Sequence, residues 1–225
     1  VQLGERDCSI QRRHQKMIEE SPSCAITEKL RREMGETAVR AAKAVGYESA
    51  GTIEFLLDKN GEFFFMEMNT RIQVEHPVTE FVSGVDLVKE QIRVAAGLPL
   101  SVKQEDICMS GHAIECRINA ENPAKNFMPC PGVIENLHVP GGNGVRIDTA
   151  VYNGYQIPPN YDSMIMKVIV HDKDRAGAIA KMRSTLGEVI IEGVQTNLDF
   201  QYDILNQKDF LDGNVTTHFI EEHYE

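Results

Sequence analysis

The sequence lacks three features that would assign it to a broad class of protein. Its five cysteines are widely spaced and include no Cys-x-x-Cys pair, so neither a zinc ribbon nor a disulfide framework is indicated. No apolar run approaches the roughly 18 residues of a bilayer span. Basic residues (23) are fewer than acidic ones (34), and the formal charge of −11 disfavours nonspecific binding to nucleic acid or anionic membrane. We therefore expect a soluble, cytoplasmic protein with small buried thiols.

The residues that are present predict an α+β fold. Apolar residues recur at helical spacing after Thr27, and Asn60-Gly61 is a strong hairpin signal because both residues tolerate positive φ. The expected helices are residues 27–45, 86–96, 175–191 and 197–205. The expected strands are residues 50–57, 62–69, 113–118, 133–139, 145–149 and 164–170. A change to short strands and turns after the polar loop at residues 101–106 predicts two domains, 1–106 and 107–225.

Two acidic residues in the predicted hairpin are candidates for a metal site. If Asn60-Gly61 is a two-residue loop, cross-strand partners have numbers that sum to 121, so Glu54 lies opposite Glu67. Both acids lie in apolar strands, where two like charges repel each other and a divalent cation removes the conflict. Asn69 lies two residues beyond Glu67 and shares its face. These oxygen ligands suit Mg²⁺ or Mn²⁺, but spacing alone equally allows an ordinary acidic surface.

The segment after the second strand carries further candidates. Pro77 and the density of polar groups predict a loop over residues 69–77. Within it, Arg71 could form paired hydrogen bonds to a carboxylate, bicarbonate or phosphate, and Glu75 is a candidate base. A salt-bridged connection is the alternative interpretation.

Two polar stretches remain open to more than one interpretation. Residues 11–16 (QRRHQK), taken as one strand, place His14 and Lys16 on the same face, where they could neutralise polyphosphate. A solvated edge strand is the alternative, and nucleic-acid binding is a weaker one because no aromatics interleave with the charges. Arg117 shares a predicted strand face with Glu115 and Asn119, which could line a cleft or simply be exposed.

Four segments closely resemble the biotin carboxylase family. In the family's order, they are GERDCSIQRRHQK (4–16), EMNTRIQVEHPVTE (67–80), GHAIECRINAE (111–121) and YDSM (161–164). Blocks of this length are far more specific than a short motif, and they extend over nearly the whole chain. The resemblance implies that residues 1–106 form the C-terminal part of an ATP-grasp domain and residues 107–225 the biotin carboxylase C-terminal domain.

The resemblance also implies an activity, with its cofactors and site residues. ATP and bicarbonate would carboxylate biotin on a carrier protein through carboxyphosphate, the first half-reaction of acetyl-CoA carboxylase in fatty acid synthesis. The implied Mg²⁺ or Mn²⁺ ligands are Glu54, Glu67 and Asn69. The implied ATP contacts are Gln11, His14, Glu54 and Glu67. The implied bicarbonate contacts are Lys16, Arg71, Gln73 and the backbone N–H of Val74. Glu75 would deprotonate bicarbonate, and Arg117 would stabilise the biotin enolate.

The implied partners are a biotin carboxyl carrier protein, carboxyltransferase subunits and a second copy in a homodimer, with no nucleic acid and no membrane. Family members begin well upstream, with an N-terminal domain and a glycine-rich lid over ATP. We therefore expect this chain to be a fragment that does not turn over by itself. The rival functions are another ATP-grasp ligase and a non-catalytic module for assembly or carrier docking, which metal-dependent ATP binding would exclude.

Overall fold

The computed structural model describes residues 1–224 and has the expected α+β character. The chain forms two compact units, one of residues 1–7 and 21–110 and the other of residues 8–20 together with the chain from residue 111 onward. Residues 8–20 thus join the second unit, whereas the sequence division at residue 106 assigns them to the first domain. That division remains a proposal about domains.

The strands are β1 (Asp7–Arg12), β2 (Gln15–Ser21), β3 (Thr52–Leu57), β4 (Phe63–Asn69), β5 (His112–Asn119), β6 (Glu121–Asn122), β7 (Met128–Pro129), β8 (Asn136–His138), β9 (Val145–Thr149), β10 (Met164–Asp172) and β11 (Ile190–Glu192). The helices are α1 (Glu28–Ala44), α2 (His76–Ser83), α3 (Leu87–Ala95), α4 (Arg175–Glu188), α5 (Leu198–Ile204), α6 (Lys208–Asp212) and α7 (Phe219–Tyr224). None of these helices, within residues 1–224, combines the length and the apolar character that crossing a bilayer requires.

In the first unit, local signals identify two helices closely. The Thr27 hydroxyl accepts from the Leu30 N–H at the start of α1, and the Asp86 carboxylate caps α3 through the Lys89 N–H. The loop expected over residues 69–77 is wrong at its end, because α2 begins at His76 with Pro77 in its first turn. Proline suits that position, since the N–H it lacks would have no partner within the helix.

The hairpin of β3 and β4 forms as expected, but its loop does not. Asp58 donates its backbone N–H to the Glu62 carbonyl at 2.9 Å, which leaves a three-residue loop in which Gly61 has φ 81°. The premise of a two-residue Asn60-Gly61 loop is therefore wrong. A glycine at the left-handed position is typical of three-residue hairpin loops.

The second unit is built on a five-stranded sheet in the order β1-β2-β5-β10-β9. Strand β10 pairs antiparallel with both β5 and β9, and its apolar residues are buried. Helix α4 is amphipathic and buries Ala178, Ile179, Met182 and Leu186 in the same core as the sheet residues Ile114, Ile118 and Met166. This core supports the polar residues that β2 and β5 carry.

Several expectations for the second unit are wrong. Residues 11–16 do not form one strand, because Arg13 (φ 49°) and His14 (φ 63°) make the turn between β1 and β2, and two positive φ values fit a tight hairpin turn. Residues 190 and 191 leave the expected helix and pair with β8 in β11. Helices α6 and α7 follow α5, whereas the sequence predicts only two helices in this region.

The cysteines are less buried than expected. Within residues 1–224 only Cys116 is buried, whereas Cys24 and Cys108 are exposed. Burial, together with the negative charges of Glu19 and Glu115, raises the pKa of Cys116 well above its ordinary value, so this thiol stays protonated.

Glu20 generates a prediction for the stability of the fold. Its side chain is 3% exposed, and its carboxylate accepts from His112 Nε2 at 2.7 Å and from Arg175 Nε at 2.7 Å. Burial opposes ionisation, but the hydrogen bonds and charges of His112 and Arg175 outweigh it, so the pKa of Glu20 lies below its ordinary value of 4.5. The unfolded chain therefore binds the proton more readily, and the stabilisation is present above that value and lost as pH falls below it.

We expect Glu20→Gln to lower the free energy of unfolding by about 3–5 kcal/mol at neutral pH, because it removes one partner of a buried ion pair. The deficit should shrink below about pH 4.5, where the native carboxylate also becomes protonated. Urea unfolding across this pH range measures both effects. Glu36→Gln, an exposed change on α1, is the control and should stay within about 0.5 kcal/mol. A deficit independent of pH would contradict the assignment.

Candidate functional site

The residues expected to form the site fall into two sets, one in each unit. The first unit carries Glu54, Glu67, Asn69, Arg71, Gln73, Val74 and Glu75. The second unit carries Gln11, His14, Lys16 and Arg117. Each set has its own hydrogen-bond network.

Glu54 and Glu67 are cross-strand partners, as predicted. Asn69 shares their face, and its side-chain N–H groups donate to Glu54 Oε1 at 3.1 Å and to Glu67 Oε1 at 2.8 Å. The amide thus bridges the two carboxylates and offsets their repulsion. The prediction that the two acids face each other is confirmed, and metal binding by them remains a prediction.

A β-bulge produces this pairing. The three-residue loop alone would set Glu54 against Met66, because the pairs nearest the turn are Leu57 with Phe63 and Phe55 with Phe65. The register shifts between Glu54 and Phe55, so that Met66 is the extra residue on β4 and Glu67 moves into place. Bulges often redirect a side chain beside a functional site.

The donor set fits a hard divalent cation. Glu54, Glu67 and Asn69 offer carboxylate and carboxamide oxygens, which Mg²⁺ and Mn²⁺ prefer. No group of three or more His, Cys, Asp and Glu side chains in residues 1–224 is arranged to hold a metal ion. The candidate site therefore consists of two carboxylates and one amide, and further ligands would come from a bound phosphate or water.

Arg6 connects the acid pair to the candidate base. Its Nη2 donates to Gln73 Oε1 at 2.5 Å and lies 3.8 Å from Glu75 Oε1. Gln73 in turn donates from Nε2 to Glu54 Oε1 at 2.6 Å. Gln73 and Glu75 are 6% and 2% exposed. A continuous chain of polar contacts thus runs from the acid pair through Gln73 and Arg6 to Glu75.

The same guanidinium fixes the surrounding elements. Arg6 donates to Thr52 Oγ1 on β3 at 3.0 Å and to Thr79 Oγ1 on α2 at 3.1 Å. Glu75 occupies the N-cap position of α2. Arg71 is exposed and donates to the carbonyl of Ile72 at 3.2 Å, so its guanidinium faces solvent beside this network.

In the second unit, Arg117 lies on β5 and its Nε donates to Glu19 Oε1 at 2.6 Å. Lys16 is half-buried and lines a cleft of about 270 Å³ with Arg12, Asn119 and Phe127. The Arg12 guanidinium lies 4.2 Å above the Phe127 ring, and its Nη2 donates to Asn126. Gln11 ends β1 half-buried, and His14 is exposed in the turn.

Sequence reasoning missed Arg6 and Glu19. Arg6 contacts residues 46 to 73 positions away, and Glu19 contacts a residue 98 positions away, so no local spacing could have identified either. A charged residue within an otherwise buried strand, as at Glu19, was the one available signal, because such a charge needs a partner.

Two family models match the chain. The biotin carboxylase C-terminal domain matches residues 115–222, and the ATP-binding domain of the carbamoyl-phosphate synthase L chain matches residues 1–103.

Curated relatives are similar along nearly the whole chain. Biotin carboxylase 1 of Bacillus subtilis is 60% identical over 98% of the chain and 49% of the relative, and a pyruvate carboxylase subunit of Methanothermobacter thermautotrophicus is 57% identical over 99% and 45%. The biotin carboxylase domain of the Hydrogenobacter thermophilus 2-oxoglutarate carboxylase, solved with MgADP, ADP and bicarbonate, superposes with a TM-score of 0.97 at 53% identity, over 98% of the chain and 49% of that structure. The chain spans about half the length of the curated relatives it matches.

The Arg6 network generates a stability prediction. Arg6→Met should lower the free energy of unfolding by about 3–5 kcal/mol, because it leaves the Glu75 carboxylate buried beside a lost cation. Arg6→Lys should recover only part of this loss, since an ammonium lacks the planar fork that reaches Thr52, Gln73 and Thr79 together. Arg40→Met on the exposed face of α1 is the control and should change stability by less than about 0.5 kcal/mol. Equal shifts for Arg6→Met and Arg40→Met in urea unfolding would refute the role given to Arg6.

Proposed function

Because the chain belongs to the biotin carboxylase family, we propose that the protein containing it uses ATP and bicarbonate to carboxylate biotin on a carrier protein through carboxyphosphate. In this proposal residues 1–106 are the C-terminal part of an ATP-grasp domain and residues 107–225 are the biotin carboxylase C-terminal domain. The observation that carries the proposal is the facing pair Glu54 and Glu67, joined through Gln73 and Arg6 to the buried Glu75. That chain supplies a site for a divalent cation and a base within one network.

The acid pair is the proposed centre of nucleotide binding. Glu54, Glu67 and Asn69 would hold Mg²⁺ or Mn²⁺, which when bound neutralises charge on the ATP phosphates. Gln11 and His14 would contact the nucleotide. The Asn69 and Gln73 amides keep the two carboxylates in place without the cation, so the ligands are already assembled before ATP arrives.

The loop between β4 and α2 is the proposed bicarbonate site. Bicarbonate would be held by Lys16, Arg71, Gln73 and the backbone N–H of Val74. Glu75 would take the bicarbonate proton, and the oxygen left negative would attack the γ-phosphorus of ATP as ADP departs. A base for this step must be deprotonated, and the Arg6 cation 3.8 Å away favours the charged form of Glu75.

Arg117 is the proposed residue of the biotin step. Carboxyphosphate would release CO₂ and phosphate, and that phosphate would take the ureido proton of biotin. The Arg117 guanidinium would then stabilise negative charge on the ureido oxygen by a charge-assisted hydrogen bond.

The holoenzyme and its partners are part of the proposal. We assign the chain to the cytoplasmic biotin carboxylase of an acetyl-CoA carboxylase, working with a biotinylated carrier protein and carboxyltransferase subunits and forming a homodimer. Relatives of similar identity are named for pyruvate and 2-oxoglutarate carboxylases, because the acyl acceptor is chosen by the transferase. Co-purification of transferase subunits followed by assay with acetyl-CoA, pyruvate and 2-oxoglutarate would identify the acceptor.

A carbamoyl-phosphate-forming ligase is the second candidate, since the model matching residues 1–103 carries that description. Both enzymes would form carboxyphosphate, so bicarbonate-dependent ATP cleavage does not separate them. Stimulation of ATP cleavage by free biotin favours the biotin carboxylase, and stimulation by ammonia favours the rival.

Metal binding can be tested directly. In the full-length protein, Glu67→Gln should raise the Mg²⁺ concentration needed for half-maximal ATP binding by about tenfold or more, because it removes one charged ligand. Glu62→Gln, an exposed acid at the edge of the same hairpin, is the matched control and should leave the requirement unchanged. Calorimetric titration of ATP at several Mg²⁺ concentrations measures it, and indistinguishable titrations for the two variants would exclude Glu67 as a ligand.

The two half-steps can be separated at Arg117. Arg117→Ala in the full-length enzyme should slow biotin carboxylation by about 10²–10³-fold, the usual cost of losing one donor to a developing oxyanion, while bicarbonate-dependent ATP cleavage persists. Phosphate release with and without free biotin measures the two rates. An equal fall in both would show that Arg117 serves ATP cleavage as well.

A further inference from the structure

The Arg117 guanidinium is bound by a carboxylate that lies wholly inside the second unit. Glu19 on β2 is 0% exposed, and its Oε1 accepts from Arg117 Nε at 2.6 Å and also contacts Nη2. The Arg117 side chain itself is 16% exposed. One edge of the guanidinium is therefore anchored in the interior of the sheet while part of the side chain still reaches solvent.

The Glu19–Arg117 pair belongs to a row of charges across four adjacent strands. Lys167 on β10 is the cross-strand partner of Arg117, and Asp148 on β9 is the partner of Lys167. Lys167 Nζ lies 3.3 Å from Asp148 Oδ2. The order across the sheet is thus acid, base, base, acid, from β2 to β9.

This order gives Glu19 a directional effect on Arg117. Two cations directly opposite each other on neighbouring strands repel. Glu19 draws the guanidinium toward β2, and Asp148 draws the Lys167 ammonium toward β9, so each acid pulls its own cation away from the other. Burial opposes ionisation of Asp148, but hydrogen bonds and charge from Arg146 and Lys167 hold its pKa below the ordinary value, so this acid keeps its charge.

The main chain of Arg117 is fixed as well. Its carbonyl accepts from Asn197 Nδ2 at 3.1 Å and from Gln201 Nε2 at 2.9 Å. Gln201 Nε2 also donates to the Met17 carbonyl on β2 at 3.1 Å, which ties β2 to β5 close to the pair. With both ends held, Arg117 loses rotamer freedom on folding rather than on binding, and an arginine carries about 2 kcal/mol of that freedom.

We propose that Glu19 is the positioning residue of the biotin step, orienting the Arg117 guanidinium toward the ureido oxygen. The inference rests on the proposed role of Arg117. It extends that role to a residue that touches neither ATP, bicarbonate nor biotin. Displacement of a catalytic group by about 1 Å can cost about 10²-fold in rate, so a change at Glu19 should act on the biotin half-step even though Arg117 remains.

The neighbouring residue provides a matched control. Glu20 is also buried and also pairs with an arginine, but successive residues of a strand point to opposite faces, and its partners are His112 and Arg175. Glu20→Gln and Glu19→Gln are therefore the same chemical change at adjacent positions of one strand. Only the second releases Arg117.

The test uses the full-length enzyme with the variants Glu19→Gln, Glu20→Gln, Arg117→Ala and the double change Glu19→Gln with Arg117→Ala. Phosphate release is measured with and without free biotin, at a temperature where circular dichroism shows every variant folded. We expect Glu19→Gln to lower the biotin-dependent kcat by about 10- to 100-fold with bicarbonate-dependent ATP cleavage retained. Glu20→Gln should leave the ratio of the two rates at the wild-type value. The double change should be no slower than Arg117→Ala alone, because Glu19 acts through Arg117.

Glu19→Asp covers the case in which Glu19→Gln does not fold. It keeps the charge but retracts the carboxylate by one methylene, so the same selective loss should appear at smaller size. If Arg117→Ala separates the two rates but neither Glu19 variant does, the positioning role is overturned and the proposed function stands. If Arg117→Ala fails to separate them, the assignment of Arg117 falls and that of Glu19 falls with it.

Discussion

A carboxylate withdrawn from water costs several kcal/mol unless a cation or several donors replace its hydration. The candidate site depends on this constraint, which is met by an arginine in each case. Arg6 lies against Glu75 in the first unit, and Arg117 lies against Glu19 in the second. Each arginine joins segments far apart in the chain, so pairing selects which elements meet as well as neutralising a charge. Buried pairs of this kind specify arrangement more than they add net stability.

The acid pair shows how like charges can be assembled without a cation. Glu54 and Glu67 face each other on a hairpin, and the Asn69 and Gln73 amides supply donors to them. Those hydrogen bonds hold the ligand geometry in advance, which reduces the ordering cost when a divalent ion and nucleotide bind. The Met66 bulge is the backbone feature that makes this possible, because it sets both acids on one face.

Some of the structure could be predicted from short stretches of sequence. The Thr27 and Asp86 caps identify α1 and α3 to within a residue or two, since a cap acts over three residues. The β3–β4 hairpin and the facing of its two acids were also predictable, but the loop was not. Asn60-Gly61 favours a turn of either length, and a two-residue loop without a bulge and a three-residue loop with one give the same pairing at Glu54. The structure separates these two routes to one register.

The sequence by itself determined the α+β class, the blocks that resemble biotin carboxylases and the residue types able to bind a cation, bicarbonate and biotin. Tertiary structure decided which of these residues are held in place. Arg6 reaches Thr79 across 73 positions and Glu19 reaches Arg117 across 98, and neither contact leaves a periodic trace in the chain. The physical reason is range. Propensity, capping and turn chemistry act over a few residues, whereas the pairing of a buried charge depends on which strands the apolar core brings together.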